Sequence, residues 1–249
     1  MAAGEGQNVP VIEAVTFDFW NTIARVPTGA MSEARQRAVA AACESGDVAV
    51  EADLLIRSLE QVGLDWERSW AEGHHLPPHE AAETLVRALG VEGAAREMVA
   101  EAFLGAGRDV ELELAPDIGA CLAALGERGI RLGIVCDVGF SGGELLRELL
   151  AGEGLLDHFS GWAFSDEVGH YKPAPQIFEA ALGALEVEPA AALHVGDLRR
   201  TDVVGAAALG MRTVRYKGMN DEGDADPGHE AEFVLAGHLE LLDVIDRLD

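Results

Sequence analysis

The sequence predicts an α/β fold in which a helical module interrupts a parallel sheet. From residue 116 onward, short apolar runs alternate with helical periodicity, as in β-α-β units with parallel strands. Between residues 26 and 111 only helical periodicity is found, directly after one apolar run. A chain of 249 residues, 49% of them apolar, is long enough to bury a sizeable core.

The first apolar run covers residues 15–23 and contains one carboxylate, Asp18. Its sequence is Val-Thr-Phe-Asp-Phe-Trp-Asn-Thr-Ile, which turns polar at Asn21 and Thr22. Such a run predicts a buried strand that delivers Asp18 to its C-terminal end. Open parallel sheets bind their ligands at that edge, so Asp18 is the first candidate functional residue.

Five helices are predicted for the inserted module, at 31–43, 51–62, 64–71, 80–89 and 94–104. Alanine, leucine, valine and glutamate recur in them every three to four residues, and glycines or prolines separate them. Trp66 and Trp70 lie four apart and therefore share one helix face. An apolar stripe in the core of the module is the simpler interpretation of this pair, and a substrate platform is the alternative.

The rest of the chain predicts alternating helices and strands. Helices are expected at 117–128, 144–150, 174–185, 201–209 and 239–248. Strands are expected at 131–138, 162–165, 191–195 and 212–216, with a possible edge strand at 233–235. Residues 220–229 form an acidic loop, most simply a solvated surface. Right-handed crossovers between these strands give a parallel sheet.

The charge of the chain excludes several classes of partner. Asp and Glu total 44 against 18 Lys and Arg, a formal charge of −26, so nucleic acid and anionic membranes would repel it. No stretch approaches the roughly 18 apolar residues of a membrane span. The N-terminus shows no basic, apolar leader, and three scattered cysteines suggest reduced thiols. We expect a cytoplasmic protein, and the sequence leaves the number of subunits open.

Four motifs follow or end predicted strands. In order they are Asp18 in Asp-Phe-Trp-Asn-Thr, the pair Cys136-Asp137, Lys172 in Gly-His-Tyr-Lys-Pro, and Asp197 with Asp202 in Gly-Asp-Leu-Arg-Arg-Thr-Asp. This order resembles the haloacid dehalogenase superfamily, whose members are mostly phosphatases with an aspartate nucleophile and Mg²⁺. The resemblance implies a Rossmann-like core from residues 11–25 and 112–249. Residues 26–111 match the helical cap that the family places after its first motif.

The residue types suit phosphoryl transfer, which depends mainly on positioning and charge neutralisation. A carboxylate can attack phosphorus and form an aspartyl-phosphate, which splits one difficult step into two easier ones. Asp18, Asp197 and Asp202 would repel one another and an incoming phosphate, so a hard cation such as Mg²⁺ is expected among them. Lys172 adds a fixed positive charge, and the chain has only one other lysine, Lys217.

The resemblance also implies a role for each matching residue. Asp18 is expected to be the nucleophile, with Lys172 and Cys136 as further catalytic residues, and Cys136 takes the place of the Ser/Thr that binds the phosphoryl oxygen. The expected Mg²⁺ ligands are Asp18, the main-chain carbonyl of Trp20, Asp197 and, either directly or from behind the ligands, Asp202. The residues expected beside the substrate are Trp20, Thr22, which holds the loop, and Asp137.

Two residues depart from the pattern of the family phosphatases. Those enzymes place a second Asp two residues after the nucleophile, where it protonates the leaving group, and here that residue is Trp20. General acid–base assistance typically contributes ~10²–10⁴-fold, so its loss is serious. Cys136 is a weaker hydrogen-bond donor than a hydroxyl, and Asp137 beside it adds negative charge where an anion should bind.

These departures leave three functions open. The first is a Mg²⁺-dependent phosphatase of a small phosphorylated metabolite, favouring acyl or aryl phosphates whose leaving groups need no proton. The second is a 2-haloacid dehalogenase, which also lacks the second Asp but does not keep the acidic segment 196–202. The third is a non-catalytic homologue that binds a phosphate-bearing ligand or a protein. A phosphonatase is disfavoured because residues 26–111 lack the lysine it needs. We expect the phosphatase.

Overall fold

A six-stranded parallel sheet forms the centre of the protein. The computed structural model describes residues 11–220 and 228–248. Its strands are β1 Ala14–Phe17, β2 Ala24–Arg25, β3 Glu113–Leu114, β4 Arg131–Cys136, β5 Gly161–Phe164, β6 Ala192–Gly196, β7 Arg212–Tyr216 and β8 Phe233–Leu235. The order in the sheet is β5-β4-β1-β6-β7-β8, and every pairing in it is parallel. The predicted α/β fold is therefore confirmed, including the edge strand.

Four helices lie between β2 and β3 and pack around an apolar cluster of their own. They are α1 Ala30–Ser45, α2 Ala52–Ala71, α3 Pro78–Ala88 and α4 Ala95–Gly105. Val39, Leu85 and Phe103 are among the buried members of that cluster, which is separate from the cores under the sheet. β2 and β3 pair antiparallel where the chain leaves the sheet and returns. We keep 26–111 as the proposed extent of this cap, and 11–25 with 112–249 as the proposed core.

Six further helices cover the sheet on its two faces. They are α5 Ile118–Glu127, α6 Gly143–Gly152, α7 Ser165–Val168, α8 Pro175–Leu185, α9 Val204–Ala208 and α10 Glu240–Leu248. Val15 and Phe17 of β1 pack with residues of α5, α6 and α10, whereas Ala14 packs with residues of α8 and α9. β1 is therefore buried on both faces, as its unbroken apolar sequence predicts.

The prediction of separate helices at 51–62 and 64–71 is wrong, because α2 runs without a break from Ala52 to Ala71. A glycine inside a helix costs only about 1 kcal/mol relative to alanine. Leu55 and Val62 bury one side of α2 in the cap, and this packing outweighs the preference of Gly63. The helix therefore carries Trp66 and Trp70 straight toward the sheet domain.

Two other elements also differ from those predicted. β4 ends at Cys136, so Asp137 and Val138 lie in the following loop. The helix predicted at 201–209 begins as a π-helical turn, Arg199–Val203, and continues as α9. Most of the predicted acidic loop, 221–227, lies outside the described residues. None of the helices in the described chain is long and apolar enough to cross a membrane.

Candidate active site

Three neighbouring strands bring their C-terminal ends together at the middle of the sheet. Asp18 follows β1, Cys136 ends β4, and Asp197 follows β6. β4 and β6 flank β1 on either side. The backbone N–H of Asp18 donates to the carbonyl of Val195 at 2.8 Å, which ties the end of β1 to β6. Asp18, Cys136 and Asp197 are all buried at this edge.

Lys172 joins the nucleophile position to the acidic segment. Its Nζ donates to Asp18 Oδ1 at 2.5 Å and to Asp202 Oδ1 at 2.7 Å, and the lysine side chain is 3% exposed. Its backbone N–H donates to Asp137 Oδ1 at 3.0 Å. The ammonium group is therefore held between two carboxylates, and its main chain is held by a third.

Asp202 is saturated with hydrogen bonds. Besides Lys172, its carboxylate accepts from the backbone N–H of Leu198 at 3.0 Å and from Thr201 Oγ1 at 3.3 Å. His194 Nε2 lies 3.1 Å from Asp202 Oδ1. A Cβ at position 196 would overlap the Asp202 carboxyl group, so only glycine allows this close approach. Asp202 therefore serves to hold Lys172.

His194 also belongs to the site, although it is not among the residues predicted from the sequence. It lies within β6, and its Nδ1 is 2.9 Å from Thr16 Oγ1 of β1. Both ring nitrogens thus have partners in the buried sheet, and burial lowers the pKa of His194 despite the hydrogen bond to Asp202. The only signal for this residue in the sequence is a polar side chain within the apolar stretch Ala-Leu-His-Val-Gly.

Negative charge exceeds positive charge in this cluster. Burial raises the pKa of Asp18 well above its usual value, although Lys172 opposes the shift. Burial alone would lower the pKa of Lys172, but Asp18 and Asp202 raise it well above its usual value. Burial also acts to raise the pKa of Asp202, but Lys172 and His194 outweigh it and hold that pKa low. The arrangement is an ammonium among carboxylates, with an electrostatic preference for a further cation.

Asp197 stands at the edge of the cluster with a partner that the sequence argument also missed. Asn220 Nδ2 donates to Asp197 Oδ2 at 2.9 Å. Burial, followed by the charge of Asp202, raises the pKa of Asp197 to about 7. Asn220 comes from the start of the loop that the sequence predicted to be a solvated surface, so the first residue of that loop belongs to the site.

The other expected site residues lie around the end of β1 and β4. Cys136 is fully buried, and this burial, reinforced by the charge of Asp18, raises the pKa of its thiol well above its usual value. Thr22 is fully buried, and its carbonyl accepts from His238 Nε2 at 2.8 Å. In the described chain its Oγ1 has no hydrogen-bond partner. Trp20 is half-buried, with its ring edge-on to Phe19.

Trp70 of the cap reaches into the core and bonds to Asp137. The indole Nε1 donates to Asp137 Oδ2 at 2.9 Å, while Lys172 bonds the other oxygen. Trp66 and Trp70 stack with ring centroids 5.5 Å apart, and the guanidinium of Arg200 lies 3.6 Å from the centroid of a Trp70 ring. The interpretation of this pair as an apolar stripe in the core of the cap is therefore wrong. The two rings lie at the interface between cap and core.

Side chains supply only some of the expected Mg²⁺ ligands in the described residues. No three His, Cys, Asp or Glu side chains there are grouped as a metal site. The Mg²⁺ ligand set implied by the sequence motifs needs fewer acidic side chains, because one of its members is the main-chain carbonyl of Trp20. Asp18 and Asp197 offer hard oxygen atoms of the kind that Mg²⁺ prefers. The Mg²⁺ site stays a prediction.

The chain is similar to known hydrolases. A family model described as haloacid dehalogenase-like hydrolase matches residues 12–210. The chain is 33% identical to a glyceraldehyde 3-phosphate phosphatase of Methanopyrus kandleri, covering 96% of this chain and 99% of that protein. It is 41% identical to a phosphoserine phosphatase of Thermus thermophilus over 53% of this chain and 51% of that protein. A crystal structure of a 2-haloacid dehalogenase from Pseudomonas syringae matches with a TM-score of 0.71 at 25% identity, covering 96% of this chain and all of that one.

Proposed function

The chain belongs to the haloacid dehalogenase-like hydrolases, and from this premise we propose that it is a Mg²⁺-dependent phosphatase of a small phosphorylated metabolite. The observation that carries the proposal is the buried cluster in which Lys172 Nζ bridges Asp18 and Asp202 beside Asp197. The phosphatase names of the relatives from Methanopyrus kandleri and Thermus thermophilus support it.

Asp18 is the proposed nucleophile. One of its carboxylate oxygens bonds to phosphorus while the bond from phosphorus to the leaving-group oxygen breaks, and the electron pair departs with that oxygen. Water then attacks the phosphorus of the aspartyl-phosphate, loses a proton to solvent and releases inorganic phosphate with Asp18 restored. Lys172 orients Asp18 for the first step, and Asp202 and Asp137 hold Lys172 in place.

The donor set fits a hard divalent cation. Asp18, Asp197 and the carbonyl of Trp20 would hold Mg²⁺, and oxygen ligands of this kind suit that ion. Asp202 accepts hydrogen bonds on both oxygens, so we assign it to the layer behind the ligands. When bound, the cation supplies charge neutralisation for the phosphoryl group.

Trp20 sets the preference for the leaving group. An indole cannot protonate a departing oxygen, and the nearby Asp137 carboxylate is already bonded to Lys172 and Trp70. We therefore expect acyl and aryl phosphates, whose leaving groups need no proton, to react faster than alkyl monoesters. Rates across monoesters of graded leaving-group pKa measure this preference, and rates independent of that pKa would contradict it.

The test of the function is phosphate release from acetyl phosphate and an aryl phosphate, with Mg²⁺ and with EDTA. The Asp18→Asn variant should be inactive, whereas Asp246→Asn, which changes an exposed carboxylate of α10, should keep wild-type rates. Release that needs both the metal and Asp18 is the expected result. Release that survives EDTA or the loss of Asp18 would overturn the proposed mechanism.

A 2-haloacid dehalogenase is the second candidate. It is favoured by the aromatic residue at position 20 and by the structural match to the Pseudomonas syringae enzyme. The acidic segment 196–202 opposes it, since the metal-free dehalogenases of the family do not keep this segment. Halide release from a short 2-haloacid in EDTA would establish this function instead. Silence in both assays would favour a non-catalytic homologue that binds a phosphate-bearing ligand or a protein.

A further inference from the structure

A cavity of about 360 Å³ lies between the cap and the core. Trp20 and Val138 form part of its wall on the core side. Trp20 is two residues beyond Asp18, and Val138 is two residues beyond Cys136. A group attached to a phosphate at Asp18 would therefore extend into this cavity.

The cavity has aromatic walls. Trp20 and Phe140 line it from the core, and Trp66 lines it from the cap. Trp66 and Phe140 meet edge to face, with ring centroids 6.1 Å apart, so these two rings brace each other across the domain interface. A space of this size between aromatic rings favours a planar apolar group of one or two rings.

Arg35 of α1 supplies a cation to the same wall. Its guanidinium lies 5.0 Å from the Phe140 ring centroid and 5.6 Å from that of Phe103. Nη2 donates a long hydrogen bond of 3.4 Å to Ser141 Oγ, and the buried Nε has no acceptor in residues 11–220 and 228–248. Burial lowers the pKa of Arg35 to about 10, so the group is still charged at neutral pH.

No carboxylate of the described chain compensates that charge. Glu67 lines the cavity but forms no ion pair with Arg35. Arg37, two residues further along α1, is by contrast exposed and lies 3.5 Å from Glu33. In a chain of charge −26, a largely buried arginine without a carboxylate partner in the described residues is suited to bind an anionic group.

We propose that this cavity binds the leaving group of the substrate, and that this group is a planar aromatic ring bearing a carboxylate that pairs with Arg35. The inference rests on the proposed phosphatase function, because it places the phosphate at Asp18. It adds the chemical class of the substrate, an aryl phosphate with a second anionic group. The aromatic rings hold the plane of the leaving group, and Arg35 selects its charge.

The experiment compares 3-carboxyphenyl phosphate with 3-carbamoylphenyl phosphate, which have nearly the same shape but differ in charge. Wild-type enzyme with Mg²⁺ should prefer the carboxylate by about tenfold in kcat/KM, as expected for one charge-assisted hydrogen bond. Arg35→Met should lose this preference. Arg37→Met, which removes the exposed arginine of the same helix, should keep it. Acetyl phosphate, which has no ring, should react equally in wild-type and Arg37→Met protein, so that the exposed arginine serves as the control for basal activity.

A binding measurement separates this inference from the proposed function. Calorimetry with 3-hydroxybenzoate and 3-hydroxybenzamide should show the same preference in wild type and the same loss in Arg35→Met, without any catalysis. Acetyl phosphate hydrolysis with no preference for the carboxylate, or with a preference that survives Arg35→Met, would overturn the inference and leave the phosphatase intact. A preference in binding without any phosphate release would uphold the cavity and overturn the phosphatase.

Discussion

Replacing Trp70 by phenylalanine should weaken the closure of the cap without unfolding the protein. Trp70 Nε1 donates to the half-buried carboxylate of Asp137 at 2.9 Å, and phenylalanine removes that donor. Loss of a hydrogen bond to a charged group costs about 1.5–3 kcal/mol, and we take the lower end because Trp70 is only half-buried. A loss of about 1.5 kcal/mol shifts an equilibrium roughly tenfold. The aromatic ring that stacks on Trp66 is kept.

The assay is kcat/KM for acetyl phosphate, with unfolding in urea followed in parallel. The bond joins the cap to Asp137, whose carboxylate also holds the main chain of Lys172. The value of kcat/KM should therefore fall by up to about tenfold, the full factor applying when the cap of the free enzyme is mostly open. Trp66→Phe is the matched control. It makes the same change one helical turn earlier, where the indole donates to no carboxylate of the described chain.

Equal kcat/KM values for the two variants would refute this reasoning, because only one of them loses the bond to Asp137. A fall in kcat/KM matched by a fall of similar free energy in urea stability would also count against it. In that case Trp70 would stabilise the whole fold instead of the closed arrangement of cap and core.

Two further predictions concern the general-acid position and a surface ion pair. Trp20→Asp should raise the rate of alkyl-phosphate hydrolysis by about 10²-fold, because the new carboxyl group can protonate the leaving group. The rate is measured as phosphate release. An unchanged rate would contradict the role given to this position. Glu230 bonds both oxygens to buried Arg215, at 2.7 Å each, and the hydrogen bonds lower the pKa of Glu230. The contribution of Glu230 to the free energy of unfolding is complete above the pKa of about 4.3 that the carboxyl has in the unfolded chain. It is lost as the pH falls through the lower pKa of the folded state. Because Glu230 is 42% exposed, Glu230→Gln should destabilise by only about 1 kcal/mol in urea at pH 7. A difference between Glu230→Gln and wild type that does not shrink as the pH falls from 7 to 3 would contradict the assignment.

The edge of the sheet where the site lies could be predicted because it follows from local rules. Apolar runs that end in a polar residue mark strand ends, and parallel strands put those ends on one side. Asp18, Cys136 and Asp197 lie together for this reason. Lys172 lies in a loop, and sequence periodicity does not predict where a loop residue lies in the fold. Only the order of the motifs indicated that Lys172 belongs to the site.

The partners of those residues could not be predicted, because they depend on which surfaces meet. His194 is one polar residue in an apolar strand, and its contact with Asp202 is set by the π-helical turn that follows the strand. Trp66 and Trp70 share a face by their spacing, but spacing does not say whether that face meets the cap or the core. α2 shows the same limit, since the packing of the cap decided whether Gly63 ended the helix.

The distribution of charge connects the cap with the chemistry. An incoming phosphate meets a buried cluster in which the only ammonium, Lys172, is already bound to Asp18 and Asp202. That cluster alone would repel an anion, so binding energy must come from a cation between the carboxylates and from groups at the cap interface. Arg35 and Arg200 are placed at that interface against aromatic rings, within a chain of net charge −26. Of these two arginines only Arg35 belongs to the cap. Under the proposed function, we therefore expect the cap to supply positive charge for the leaving group that the buried cluster lacks.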